Sequence, residues 1–255
     1  NYRCLGRCYF SQMKFDYHIH TEDSYDSSLK AIDLLKRAIQ LKYDEIAITE
    51  HLDLLPLEMR TYGVPSLNRY YQRIKELKSR TSEINVLIGI EVGDYQRVKN
   101  YASALVENFT FDLILGSVHF LSDNTNVAIP LPKPLSEEQV KDYYLQNLAL
   151  VSSCDIDVLA HLGVYKRCYD HIPDETNHYS LLHDIFQTMI QRRIALEINY
   201  SPLRRGYPSF IPELPLLEMY LNLGGKLFSL GSDAHQIEHF DLYRDTIPQK
   251  FCTSY

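Results

Sequence analysis

Six short stretches of this chain carry a histidine or a carboxylate at the end of an apolar run, and a cluster of metal ions is the chemistry that such a set can do. They are Asp16-Tyr17-His18-Ile19-His20, Thr49-Glu50-His51, Gly89-Ile90-Glu91, Gly116-Ser117-Val118-His119, Leu159-Ala160-His161 and Gly231-Ser232-Asp233-Ala234-His235. In a strand, side chains at i and i+2 share a face, so His18 and His20 can chelate one ion while Ile19 points into packing, and Asp233 and His235 repeat that geometry. Glu91 ends the run Val86-Leu87-Ile88-Gly89-Ile90. A buried carboxylate there is costly unless neutralised, either by metal ions that share it or by a salt bridge to a nearby Lys or Arg. Alternation puts Glu50 and His51 on opposite faces, which assigns His51 to the metals and leaves Glu50 to orient a ligand from behind. The other four histidines, His171, His178, His183 and His239, fall in helices or loops, where solvated or core roles are expected.

These residues need strands to carry them, and strand-like and helix-like stretches alternate along the chain. The strand candidates are Phe15–His18, Glu45–Thr49, Asn85–Glu91, Phe111–Ser117, Asp157–His161, Ala195–Asn199 and Lys226–Gly231. Helices read most clearly at Ser28–Leu41, with an apolar stripe of Leu29, Ile32, Leu35 and Ile39, and at Ser136–Ser152, where Ser136 and Gln139 match a capping box. Such alternation implies a parallel sheet with right-handed crossovers. Ligand-type residues end nearly every strand, which favours an α/β fold closed as a seven-stranded barrel over an open sheet with its site at one switch point.

Length and composition bound the rest. With 255 residues, 45% of them hydrophobic, the chain suits one α/β domain, placed at residues 13–255. Residues 1–12 lack periodicity and the apolar core of a signal peptide, and Met13 stands just before the first strand, so they are expected to be a leader or an added segment. Near the other end, Phe251 to Tyr255 follow Pro248 without a helical pattern, so a last covering helix is not expected. The net charge of −7 argues against a broad basic surface for nucleic acid, but not against an anionic small molecule at a metal site. Cys4, Cys8, Cys154, Cys168 and Cys252 are odd in number and lack CxxC pairs, which fits reduced thiols in a cytoplasmic protein. No stretch is apolar for long enough to span a membrane.

Taken together, the HxH, TEH, GxE, SVH, AHLG and GSDAH motifs resemble the PHP superfamily, named for polymerase and histidinol phosphatase, and within it the stand-alone histidinol-phosphate phosphatases. The resemblance runs from Met13 to about Asp245. It implies an α/β fold, a distorted seven-stranded TIM-like barrel, with a trinuclear centre at the carboxyl ends of the strands. On it, His18, His20, Glu91 and Asp233 would hold one ion, Glu91 with His119 and His161 a second, and His51 with His235 a third. The remaining ligand of the third ion is a histidine in many relatives. Here that position is Asp26, and a carboxylate favours a harder ion, so Zn, Mn and Fe all remain candidates for the two to three divalent ions.

The activity that the resemblance implies is hydrolysis of a phosphomonoester, L-histidinol phosphate, in histidine biosynthesis. Clustered divalent ions supply an ionised water and neutralise the phosphoryl oxygens, so no serine or cysteine nucleophile is required, and Glu91 and Asp233 become the catalytic carboxylates. Arg167, after His161, and Arg204, past Glu197-Ile198-Asn199, stand where similar phosphatases grip the substrate phosphate; solvated loop arginines are the plainer alternative. Two other functions fit the same motifs: a PHP phosphoesterase acting on a nucleotide or oligonucleotide, and a non-catalytic PHP domain. No aromatic-and-basic tract supports a polynucleotide groove, and a non-catalytic domain should have lost ligands, whereas every motif here keeps one.

Overall fold

The computed structural model describes residues 13–251, so the expectation for residues 1–12 and three of the five cysteines, Cys4, Cys8 and Cys252, lie outside the described residues. Seven strands form one sheet in chain order: β1 (Phe15–Asp16), β2 (Glu45–Asp53), β3 (Asn85–Gly93), β4 (Leu113–Ser117), β5 (Val158–Leu159), β6 (Ala195–Asn199) and β7 (Phe228–Gly231). Every neighbouring pair is parallel. The edges meet as well. The N–H groups of Tyr17, Asp233 and His20 donate to the carbonyls of Leu230, His18 and Ala234 at 2.8, 2.8 and 2.9 Å. The sheet is therefore a barrel, as the spread of ligands over nearly every strand demanded.

Around it lie α1 (Ala31–Gln40), α2 (Pro56–Tyr62), α3 (Leu67–Ser79), α4 (Lys99–Val106), α5 (Glu137–Ser153), α6 (Tyr179–Arg192) and α7 (Leu214–Asn222). Outward strand residues such as Ile46, Ile48, Ile88 and Ile90 join Leu34, Tyr70 and Ile74 in the main core between strands and helices. A second, small cluster of Leu115, Val158 and Ala160, with Leu113 and Ala195 against it, involves only β4, β5, β6 and the residue just past β5. On those strands the positions that alternate with the main core carry the small cluster first and then polar residues, Ser117, Glu197 and Asn199, all buried. The barrel interior thus passes from an apolar plug to a polar mouth.

Two local expectations change. β2 runs past Thr49 to Asp53 and β3 past Glu91 to Gly93, because the two strands stay paired over nine residues with His51 opposite Glu91. Ligands therefore sit inside the ladder and not only at its end. On α1 the buried face is Ala31, Leu34, Leu35 and Ala38, and Ile32 is half exposed. The apolar stripe proposed through Ile32 was displaced because two alanines, small enough for close approach, serve as packing residues. The capping box on α5 is present, with Gln139 N–H donating to Ser136 Oγ and Ser136 N–H to Gln139 Oε1.

Candidate metal centre

Glu91 is fully buried at the middle of the polar mouth, and its two oxygens face different histidines. Oε1 lies 2.9 Å from His161 Nε2 and 3.5 Å from His119 Nε2. Oε2 lies 2.9 Å from His51 Nδ1 and 3.5 Å from Nε2 of both His18 and His20. No lysine or arginine is among these partners, so the salt-bridge alternative for Glu91 does not hold. Burial alone would push the Glu91 carboxyl up, but the surrounding imidazoles, His18 and His51 first, hold it well below the usual carboxylate range.

Asp233 completes the set on the β7 side, with Oδ1 3.4 Å from His20 Nε2 and 3.8 Å from His18 Nε2. Nε2 of His18 and Nε2 of His20 face each other at 3.0 Å. Asp26 joins the remaining pair: its Oδ1 is 3.5 Å from His51 Nε2 and its Oδ2 3.3 Å from His235 Nε2. All nine residues that the motifs singled out as ligands therefore meet in one place. His161 and Asp233 adopt positive φ angles of 27° and 51°, conformations disfavoured for residues with a β-carbon, where the chain leaves β5 and β7. Both side chains end on this cluster.

The donor set suits divalent ions. Imidazole nitrogens and carboxylate oxygens converge in a buried space, and Glu91 Oε2 and His51 Nδ1, though 2.9 Å apart, are not aligned for a hydrogen bond. Three groups of donors that could each hold an ion fall within the expected ligands: His18, His20 and Asp233; His18, Glu91 and His161; and His20, His51 and His235. A fourth, Asp53, Glu58 and His119, was not anticipated.

Several residues behind the ligands also escaped sequence reasoning. Glu197 Oε1 sits 2.7 Å from His18 Nδ1, and its Oε2 accepts the His161 N–H. Gly231 makes room for it, since a β-carbon there would collide with Glu197 Oε1. Asp16 accepts the N–H groups of His18 and Ser232 and the Tyr200 hydroxyl, and burial pushes its carboxyl up to about 6. The signal for Glu197 was available: like Glu91, it is a lone carboxylate in an apolar strand. Glu50 takes the role assigned to it, accepting from Thr21 and from Ser24, whose Oγ lies 3.3 Å from His20 Nδ1.

A pocket of about 580 Å³ opens over the cluster. Arg167, Arg204 and Arg205 line it from the loops after β5 and β6. Arg167 is half-buried and its Nε has no partner. Arg204 is differently placed, because its guanidinium already donates to the backbone carbonyls of Ser232 and Asp233. His239, expected in a bland role, lines the same pocket, and burial together with Arg204 lowers its imidazole to about 4. Of the other three histidines, His178 is buried while His171 and His183 are exposed.

A barrel with this mouth matches known proteins in sequence and in shape. The chain belongs to the PHP domain family, whose profile matches residues 16–201. It is 28% identical over 246 residues to the probable histidinol-phosphatase of Clostridium acetobutylicum, covering 94% of this chain and 90% of that one. It is also 28% identical over 238 residues to the histidinol-phosphatase of Lactococcus lactis, covering 87% and 84%. The crystal structure of the Lactococcus enzyme, complexed with zinc, L-histidinol and phosphate, superimposes with a TM-score of 0.71 at 26% identity over 88% of this chain and 86% of that one. The putative histidinol phosphatase of Listeria monocytogenes shares the fold, with a TM-score of 0.78 at 19% identity over 92% and 100% of the two chains.

Proposed function

We propose that the protein is a metal-dependent phosphomonoesterase that hydrolyses L-histidinol phosphate to L-histidinol and phosphate, with Glu91 shared between ions. The observation that carries this reading is the division of Glu91, one oxygen toward His161 and His119 and the other toward His18, His20 and His51. On this reading His18, His20, Glu91 and Asp233 hold one ion, Glu91, His119 and His161 a second, and Asp26, His51 and His235 a third. The likeness to the zinc-containing Lactococcus enzyme supports both the metals and the substrate.

Bound divalent ions supply an ionised water nucleophile and charge neutralisation at phosphorus. The chain's own contributions are distinct. Glu197 and Asp16 fix His18, and Glu50 acts through Ser24 on His20. Arg167, with an unpartnered Nε beside the pocket, takes phosphate oxygens, and Arg204 contributes what remains of its guanidinium beyond the two carbonyls. We assign residues 13–255 to one catalytic domain and place the enzyme in the cytoplasm, in keeping with free Cys154 and Cys168. Among the described residues no helix is long and apolar enough to cross a membrane.

The test is turnover of histidinol phosphate, nucleoside phosphates and short oligonucleotides by protein reconstituted with Mn²⁺ or Zn²⁺, alongside elemental analysis. Histidinol phosphate should be preferred and at least two ions should be bound per chain. Preference for a nucleotide, or activity that survives metal removal, would overturn the reading.

A further inference from the structure

The pocket over the metal centre has two electrical ends. Arg167, Arg204 and Arg205 line it from the loops after β5 and β6, whereas Glu58 of α2 lines it together with Tyr25 and Tyr62. Three carboxylates border this space: Asp26, Asp233 and Glu58. The first two lie against histidines of the metal cluster, which leaves Glu58.

Glu58 is only 4% exposed, and its Oε2 has no hydrogen-bond partner. Its neighbour Asp53 accepts the Tyr25 hydroxyl at 3.3 Å through Oδ2, while its Oδ1 lies 3.4 Å from His119 Nδ1 without a hydrogen bond. A buried carboxylate next to a second one keeps its charge only at a cost, which a proton or an arriving cation relieves. The surroundings suit an organic cation. Tyr62, nearly half exposed, stacks on Tyr25 with ring centroids 3.8 Å apart, and Tyr25 in turn stacks on His51 at 5.4 Å, which leaves the outer face of Tyr62 as a π-face near the acid.

We propose that Glu58 receives the ammonium group of the substrate, so that the pocket selects phosphomonoesters of amino alcohols over phosphomonoesters without a positive charge. The assignment rests on the phosphomonoesterase reading of the site and specifies which end of the ligand meets which wall. An amino-alcohol phosphate carries its anion and its cation in one small molecule, and one pocket is lined both by the three arginines and by Glu58. A fourth metal ion held by Asp53, Glu58 and His119 is the competing occupant. It would draw on Asp53, which already faces Tyr25 and His119, and on His119, whose Nε2 faces Glu91.

The experiment compares two substrate pairs on the metal-loaded enzyme: L-histidinol phosphate against its des-amino analogue, and phosphoethanolamine against ethyl phosphate. The wild type should favour the ammonium-bearing member of each pair in kcat/KM. Glu58→Gln should shrink that preference by about tenfold to a hundredfold, the range for losing a charge-assisted hydrogen bond, while Glu58→Asp keeps part of it. Metal content should be equal in all three proteins. An undiminished preference in Glu58→Gln, or a wild type without preference, overturns the assignment. Loss of an ion from Glu58→Gln overturns it in favour of the metal. If the wild type ignores histidinol phosphate yet still prefers phosphoethanolamine to ethyl phosphate, the proposed substrate fails and the role of Glu58 stands.

Discussion

Glu197 and His18 lie 2.7 Å apart, carboxylate to Nδ1, inside a barrel wall where neither is exposed to solvent. The contact leaves His18 Nε2 directed at Glu91 and Asp233 and fixes which nitrogen can act as a ligand. Because the second Glu197 oxygen accepts the His161 N–H, one carboxylate orients ligands on two different strands. Glu197→Gln replaces one acceptor with a donor and should lower metal affinity about 10- to 100-fold, as losing such a partner does elsewhere. Competition with a chelator measures this, and an unchanged midpoint would mean that Glu197 serves folding alone.

Glu91→Gln should cost more activity and more metal than His161→Ala. The glutamate faces two groups of histidines, whereas His161 Nε2 faces Glu91 alone among the carboxylates. Metal analysis of both variants after gel filtration decides the matter; equal, mild losses would argue against a shared carboxylate.

Arg167 and Arg204 should behave differently. Arg167→Ala removes a guanidinium whose Nε has no partner, so KM for the phosphomonoester should rise at unchanged melting temperature, by the equivalent of about 1.5–3 kcal/mol for a lost charged contact. Arg204→Ala also frees the carbonyls of Ser232 and Asp233, so it should lower kcat and loosen metal as well. Steady-state kinetics paired with thermal melts separate the two, and identical behaviour would sink the distinction.

Lys166 is wholly buried, with Nζ 2.8 Å from Glu175 and 2.7 Å from Glu213, so it ties the loop bearing Arg167 to the start of α7. Lys166→Met strands two buried carboxylates and should destabilise the fold by about 3–5 kcal/mol. Burial pushes the Glu175 carboxyl up, but Lys166 outweighs it and holds the group below its ordinary value. Lys166 is raised above its ordinary value by the same two carboxylates, against its burial. A depressed carboxyl contributes stability above its unfolded pKa and loses it as pH falls through the folded one. A raised lysine contributes below its unfolded pKa and loses that contribution only as pH climbs through the folded one. The gap between wild type and Lys166→Met in denaturant titrations should therefore be widest between about pH 5 and 10 and should close on the acid side. A gap that is flat with pH would show that the charges contribute nothing.

The fold and the meeting of the candidate ligands were legible for one reason: metal chemistry confines residue types at strand ends, so each motif announced both a strand and a candidate donor. The residues behind the ligands were harder to read. Glu197 stands out as a lone carboxylate in an apolar strand, but its partners, His18 and the His161 N–H, and the tie from Asp16 to Ser232 across the seam depend on barrel closure and leave no local spacing. Glu58 was hidden for another reason. It lies in a short helix that no motif marks, and only the tertiary arrangement buries it. The misplaced stripe on α1 reflects alanines doing the packing that periodicity assigns to larger side chains.

The barrel is shut by hydrogen bonds between the backbone of His18 and His20 on one side and of Asp233 and Ala234 on the other. The seam and the centre are thus made of the same residues, drawn from opposite ends of the described chain. A growing polypeptide can present His18, His20 and Glu91 early in synthesis, but it has no enclosed site for an ion until β7 emerges and docks. Full loading would therefore wait for β7: loss of that strand would open the wall and take Asp233 and His235 from two of the three proposed ion sites, leaving only Glu91, His119 and His161 together.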